Sequence, residues 1–168
     1  EEVKDELRRD KIPFDESVPV GIMVEMPSAA MTADLLAREC DFMSVGTNDL
    51  IQYSMAIDRE NEQMSYLYTP LHPAILRSIR NVVEAGHAAG IRVGMCGEMA
   101  GEPLYSQVLI GLGLDELSMN PNSIPVVKQV LRSSSLGESR RFLEDIMQLP
   151  TVREVEDRVR EVMRQRFP

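Results

Sequence analysis

Four short apolar runs alternate with four longer segments of helical periodicity, and few folds accept that order. Residues 18–24 form a near-continuous apolar run rich in β-branched side chains, the pattern of a buried parallel strand. Pro27-Ser28 then opens a helix with apolar positions at Ala30, Met31, Ala33, Leu35 and Leu36. Residues 41–45 read as a second strand, stopped by Gly46, and 48–56 as a short helix. Residues 73–89 predict a strong helix, because Ile75, Leu76, Ile79, Val82 and Val83 fall at helical spacing and Gly90 follows as a stop. The third strand is expected at 91–96, a short helix at 102–111, and a fourth strand at 116–119. A helix at 124–131 carries Pro125 in its first turn, where proline is tolerated. Strands joined in this way run parallel, with the helices as crossovers, so the expected class is α/β.

Residues 2–9 resemble the tail of a helix, and a loop containing Pro13 follows. Ser135-Leu-Gly-Glu138 and Thr151-Val-Arg-Glu154 both match the capping box, which predicts closing helices at about 136–148 and 151–166. Val152, Val155, Val159, Val162 and Met163 make one apolar stripe along the last of them. With no solenoid repeat and no low-complexity linker, residues 1–168 read as one domain. Four strand–helix units suit either a small open sheet or half of an eight-unit barrel. Glu25, the 46–49 cluster and Cys96-Gly97-Glu98 all fall at carboxyl ends of strands, the face that binds ligands in both architectures. The chain opens at Glu-Glu-Val-Lys without an initiator methionine, which fits a piece of a longer protein.

The charge balance removes several functions. A net charge of −9 argues against nucleic acid and against anionic membrane surfaces as partners. No apolar run approaches the length of a membrane span. Two cysteines, Cys40 and Cys96, make no disulfide framework; with no secretory signal, a reducing cytoplasm is expected.

The chemistry concentrates at the strand ends. Cys96 stands in Gly94-Met-Cys-Gly-Glu98, where glycines on both sides leave room for close approach. The alternative is a buried structural thiol. Glu25 and Asp49 each follow an apolar strand, so both carboxylates reach one rim. Two hard oxygens with open positions suit Mg²⁺, whereas no His/Cys cluster suits zinc. The alternatives are a helix cap for Asp49 and a salt-bridged rim carboxylate for Glu25. Gly46-Thr47-Asn48-Asp49 is a glycine turn entering a helix, a place that favours an anion. Arg59 is placed to close over that anion, or else is a solvated loop charge.

Four segments carry a resemblance. Residues 20–28 (VGIMVEMPS), 42–53 (FMSVGTNDLIQY), 56–59 (AIDR) and 94–101 (GMCGEMAG) occur in the order found in the phosphoenolpyruvate-utilising enzymes. The sequence resembles most the Enzyme I type of the phosphotransferase system; residues 111–119 and 122–125 extend the match over nearly the whole chain. The resemblance implies the C-terminal half of a TIM-type (β/α)8 barrel that binds phosphoenolpyruvate. It implies Mg²⁺ on Glu25 and Asp49. Asn48, with the main chain of Thr47 and Asp49 beside it, and Arg59 would then meet the phosphate. Cys96 becomes the general acid that protonates the enolate to give pyruvate, a role open to a thiol because thiols are ordinarily protonated at neutral pH. The family's acceptor is a histidine in a separate domain. Neither His72 nor His87 lies in such a motif, and both are assigned structural or surface roles. The first four barrel strands, with their substrate-gripping arginines, are not in these residues. The expectation is therefore an inactive isolated chain that pairs with that missing half, serves a phosphocarrier protein through its parent, and self-associates, with homodimerisation the family habit. The related alternatives are the same barrel region of pyruvate phosphate dikinase or phosphoenolpyruvate synthase. An alternative of another class is a dimerisation or regulatory module.

Overall fold

A computed structural model describes residues 1–58, 61 and 63–167. Strands β1 (Gly21–Val24), β2 (Phe42–Gly46), β3 (Arg92–Cys96) and β4 (Glu116–Leu117) form one sheet in the order β1-β2-β3-β4, all parallel. Spatial order follows chain order without reversal. A doubly wound open sheet has a switch point where that order turns back. The sequential arrangement is instead that of consecutive units of a (β/α)8 barrel.

Helix α1 (Glu2–Arg9) precedes the sheet. Helices α2 (Pro27–Met31) and α3 (Ala33–Leu36) follow β1, and α4 (Thr47–Met55) and α5 (Pro73–Ala88) follow β2. Helices α6 (Glu98–Gly101) and α7 (Ser106–Leu112) follow β3. Helices α8 (Ile124–Arg132), α9 (Leu136–Met147) and α10 (Val152–Arg166) close the chain.

The two faces of the sheet differ. Val24, Met43, Val45, Val93 and Met95 are buried in one core with Ile75, Leu76, Ile79 and Val82 of α5. Helix α5 lies directly on the strands at Gly86, where a β-carbon would stand 2.3 Å from Val93 Cγ2 and 2.9 Å from Met43 Cε. The opposite face carries Met23, Ser44, Gly94 and Glu116 side by side in register, with Phe42 and Arg92 one step below. Met23, Phe42, Arg92 and Glu116 on this face are exposed. It is the face that lines the interior of a closed barrel.

Several boundaries differ from the sequence expectation. The first strand starts at Gly21 rather than at 18, because Pro19 has no N–H and the Val20 N–H goes to the Asp41 carboxylate at 2.7 Å rather than to a neighbouring strand. The helix after it breaks at Thr32, whose hydroxyl bonds back to the Ser28 carbonyl at 3.0 Å. The helix expected at 102–111 divides into a 3-10 turn, Pro103–Tyr105, and α7, with Pro103 forcing the new start. Helix α6 has no counterpart in the sequence reading. Strand β4 is two residues long, although the Ser118 N–H still reaches the Met95 carbonyl at 2.8 Å. The capping box is complete at Thr151, whereas at Ser135 the serine accepts from the Glu138 N–H without a return bond among the described residues. His72 caps α5, its Nδ1 accepting from the Ala74 N–H at 3.1 Å. His87 lies 2.9 Å from Asp115 Oδ2. No helix is long and apolar enough to cross a membrane, among the described residues.

Candidate active site

Parallel register brings the strand ends to one rim. Gly46 at the end of β2 is the neighbour of Cys96 at the end of β3. Two turns leave these positions, Gly46-Thr47-Asn48-Asp49 into α4 and Cys96-Gly97-Glu98 into α6. They are tied together twice. Thr47 is fully buried, and its hydroxyl donates to the Cys96 carbonyl at 3.0 Å. The Glu98 N–H donates to Asn48 Oδ1 at 3.0 Å.

Gly97 makes this fit possible. Its φ of +105° lies where residues with a β-carbon are strained. A β-carbon there would stand 2.6 Å from Thr47 Oγ1 and 2.8 Å from Asn48 Oδ1. The clearance inferred beside the thiol is thus taken up on this side by the neighbouring turn. Gly46 serves the carboxylate, since a β-carbon on it would meet Glu25 Oε2 at 2.9 Å.

Glu25 and Asp49 are both partly exposed, and neither has a hydrogen bond or ion pair among the described residues. Asp49 does not cap α4; the capping position belongs to Gly46 and receives no side-chain bond. Both alternatives therefore lose support: the carboxylates at these strand ends are without protein partners among the described residues. No group of three or more His, Cys, Asp or Glu is poised for a metal among the described residues. The chemistry of two carboxylates after adjacent strands suits a hard cation that keeps waters and takes ligand oxygens, and does not suit an all-protein cage.

Cys96 is half-buried, and its Sγ lies 3.6 Å from Met23 Sδ on the exposed face. A thiol held there faces the would-be barrel interior and is not sealed in the core. Among the described residues Asn48 uses only its oxygen: Oδ1 accepts from the Glu98 N–H and from the Tyr68 hydroxyl at 3.5 Å. Arg59 lies outside the described residues. Thus Glu25, Thr47, Asn48, Asp49 and Cys96 come from three adjacent strand ends to one rim. Beside them an open cleft of about 610 Å³ runs past Gly97, Glu98, Ser118 and Asn120. Tyr68 and Met23 escaped the sequence reading. Met23 reads as an ordinary strand residue, and nothing in the run 65–68 signals a contact with Asn48 twenty positions back.

Comparison with known proteins adds a second line. Residues 1–136 match the family model described as PEP-utilising enzyme, PEP-binding domain. The chain is 44% identical over 163 residues to a phosphoenolpyruvate-protein phosphotransferase of Haemophilus influenzae, covering 97% of this chain and 28% of that protein. It is 48% identical over 163 residues to the protein of that name from Bacillus subtilis, covering 97% and 29%. With that of Geobacillus stearothermophilus it shares 49% over 154 residues, covering 92% and 27%. The chain spans little more than a quarter of the length of these relatives.

Proposed function

This chain belongs to the PEP-utilising enzymes, as their PEP-binding domain, and on that premise we propose that it is half of the catalytic barrel of a phosphoenolpyruvate-protein phosphotransferase. The observation that carries the reading is the coupling of the β2–α4 and β3–α6 turns. It ties a thiol, an amide and the Asp49 carboxylate to one rim, beside the end of β1 where Glu25 follows, and neither carboxylate has a partner among the described residues. The names of the relatives favour this activity over the dikinase and synthase alternatives.

In this reading the phosphate of phosphoenolpyruvate lies at the α4 N-terminus, against main-chain N–H groups and the Asn48 amide, with Arg59 closing over it. Glu25 and Asp49 would hold Mg²⁺, which when bound offsets charge on the transferring phosphoryl group. The P–O bond to the enol oxygen breaks and its electron pair stays on that oxygen. The phosphoryl group passes to a histidine of another domain of the parent. The resulting enolate takes a proton at its methylene carbon from Cys96 Sγ, giving pyruvate, and the thiolate regains its proton from water. Thr47 holds the Cys96 carbonyl and so fixes the strand end that presents the thiol. Parent and chain belong in the cytoplasm, where Cys40 and Cys96 stay free thiols. A phosphocarrier protein receives the phosphoryl group from the parent, and the chain alone transfers none.

Cys96→Ala in the full-length protein tests this. Loss of a general acid predicts a fall in pyruvate release of about 10²–10⁴-fold with the oligomeric state unchanged. Undiminished turnover would leave this region only an assembly role. Phosphorylation of a carrier by the 168-residue chain alone would refute its dependence on the other half.

A further inference from the structure

We propose that Tyr68 is a positioning residue that fixes which end of the Asn48 amide meets the phosphate; this rests on the phosphoenolpyruvate reading above. The Glu98 N–H lies 3.0 Å from Asn48 Oδ1. A main-chain N–H only donates, so the amide must turn its oxygen toward Glu98 and its NH2 group the other way. The Tyr68 hydroxyl reaches the same oxygen at 3.5 Å. Gly97 permits the arrangement, since a β-carbon there would crowd that oxygen at 2.8 Å. The Asn48 NH2 group donates to nothing among the described residues.

This orientation has a chemical consequence. A flipped amide would aim carbonyl lone pairs at an anion, whereas the observed one keeps two N–H donors available to it. Tyr68 backs the choice that the Glu98 N–H makes, adding a second donor to the same oxygen. It is half-buried, packs on the core and ends the 3-10 turn Ser65–Leu67. The segment joining α4 to α5 thereby returns a hydroxyl to the turn that α4 left.

The test uses the full-length protein, with phosphoenolpyruvate and Mg²⁺ as probes and pyruvate release as readout. Tyr68→Phe removes only the hydroxyl. One lost hydrogen bond predicts a rise in KM for phosphoenolpyruvate of about fivefold, with kcat held within about twofold. In an Asn48→Ala background the same change should move KM by less than about twofold, because no amide remains to be held. A merely structural tyrosine would act equally in both backgrounds and lower the thermal midpoint in both. An unchanged KM in Tyr68→Phe, or an equal rise in the two backgrounds, overturns the proposal. Wild-type turnover is the control. Its absence sinks the phosphoenolpyruvate reading, whereas its presence beside a silent Tyr68→Phe sinks only the role of Tyr68.

Discussion

Asp115 joins three elements through one carboxylate. Its Oδ2 accepts from the Val93 N–H at 2.8 Å, at the start of β3, and lies 2.9 Å from His87 Nε2 near the end of α5; β4 begins at the next residue. Burial pushes this carboxyl up, but the Val93 N–H, His87 and Arg92 together outweigh it and hold it below the ordinary Asp value. A carboxyl depressed in the folded state stabilises the fold above its unfolded pKa of about 3.9, and that contribution fades as pH falls through the lower folded value. Asp115→Asn should therefore cost about 1 kcal/mol near neutral pH, a figure already discounted for solvent screening. Urea unfolding at a series of pH values checks this. The gap between variant and wild type should close below about pH 3.9, and a gap constant with pH would contradict it. The candidate site residues were legible in the sequence for a simple reason: Glu25, Asp49 and Cys96 each fall at or just after the end of an apolar run, and parallel strands end on a common rim. Their partners were not legible. Asn48 meets Glu98 across fifty positions and Tyr68 across twenty, and local patterning carries no record of such pairings.

Elements show the same division. Helix α5 was readable throughout because a sixteen-residue amphipathic pattern leaves little choice. Helix α6 was not, because four residues that follow one glycine and end on another carry no period, and its form depends on the turn beside it. The α7–α9 contact was equally hidden, and it depends on one missing side chain. A β-carbon at Gly111 would stand 2.5 Å from the Ser139 carbonyl oxygen and 2.9 Å from Leu143 Cβ. Alanine in place of glycine ordinarily favours a helix by about 1 kcal/mol. Here the obstacle is a main-chain carbonyl, which no rotamer change removes, and overpacking of this kind costs about 1–3 kcal/mol. Gly111→Ala should thus lower the thermal midpoint despite its better helix propensity. A raised midpoint would mean that α7 and α9 separate with little cost.

At the scale of the molecule the sheet is finished on one face only. Met23 is 49% exposed and Phe42 37%, on the face opposite a core whose strand residues are at or near zero. Strands β1 and β4 each leave an edge without a partner among the described residues. A sheet face that exposes Met23 and Phe42 and has two open edges gains by pairing with another chain, and relatives about three and a half times as long supply enough sequence for the other half. Separated from such a half, copies of this chain have each other. Two terms then compete. Burial of the exposed face favours association, whereas a net charge of −9 on each copy opposes it. Salt screens the second term over about 10 Å at 0.1 M and leaves the first almost untouched. Light scattering on the isolated chain should therefore give a weight-average mass above the 18.9 kDa of one copy, rising with protein concentration and rising again with salt. A Phe42→Asp variant, which places a charge on the uncovered face away from the rim, should shift that mass back toward the monomer. A wild-type chain that stays monomeric at every concentration and salt level would show that the uncovered face needs no partner, and the half-barrel account of this molecule would fail.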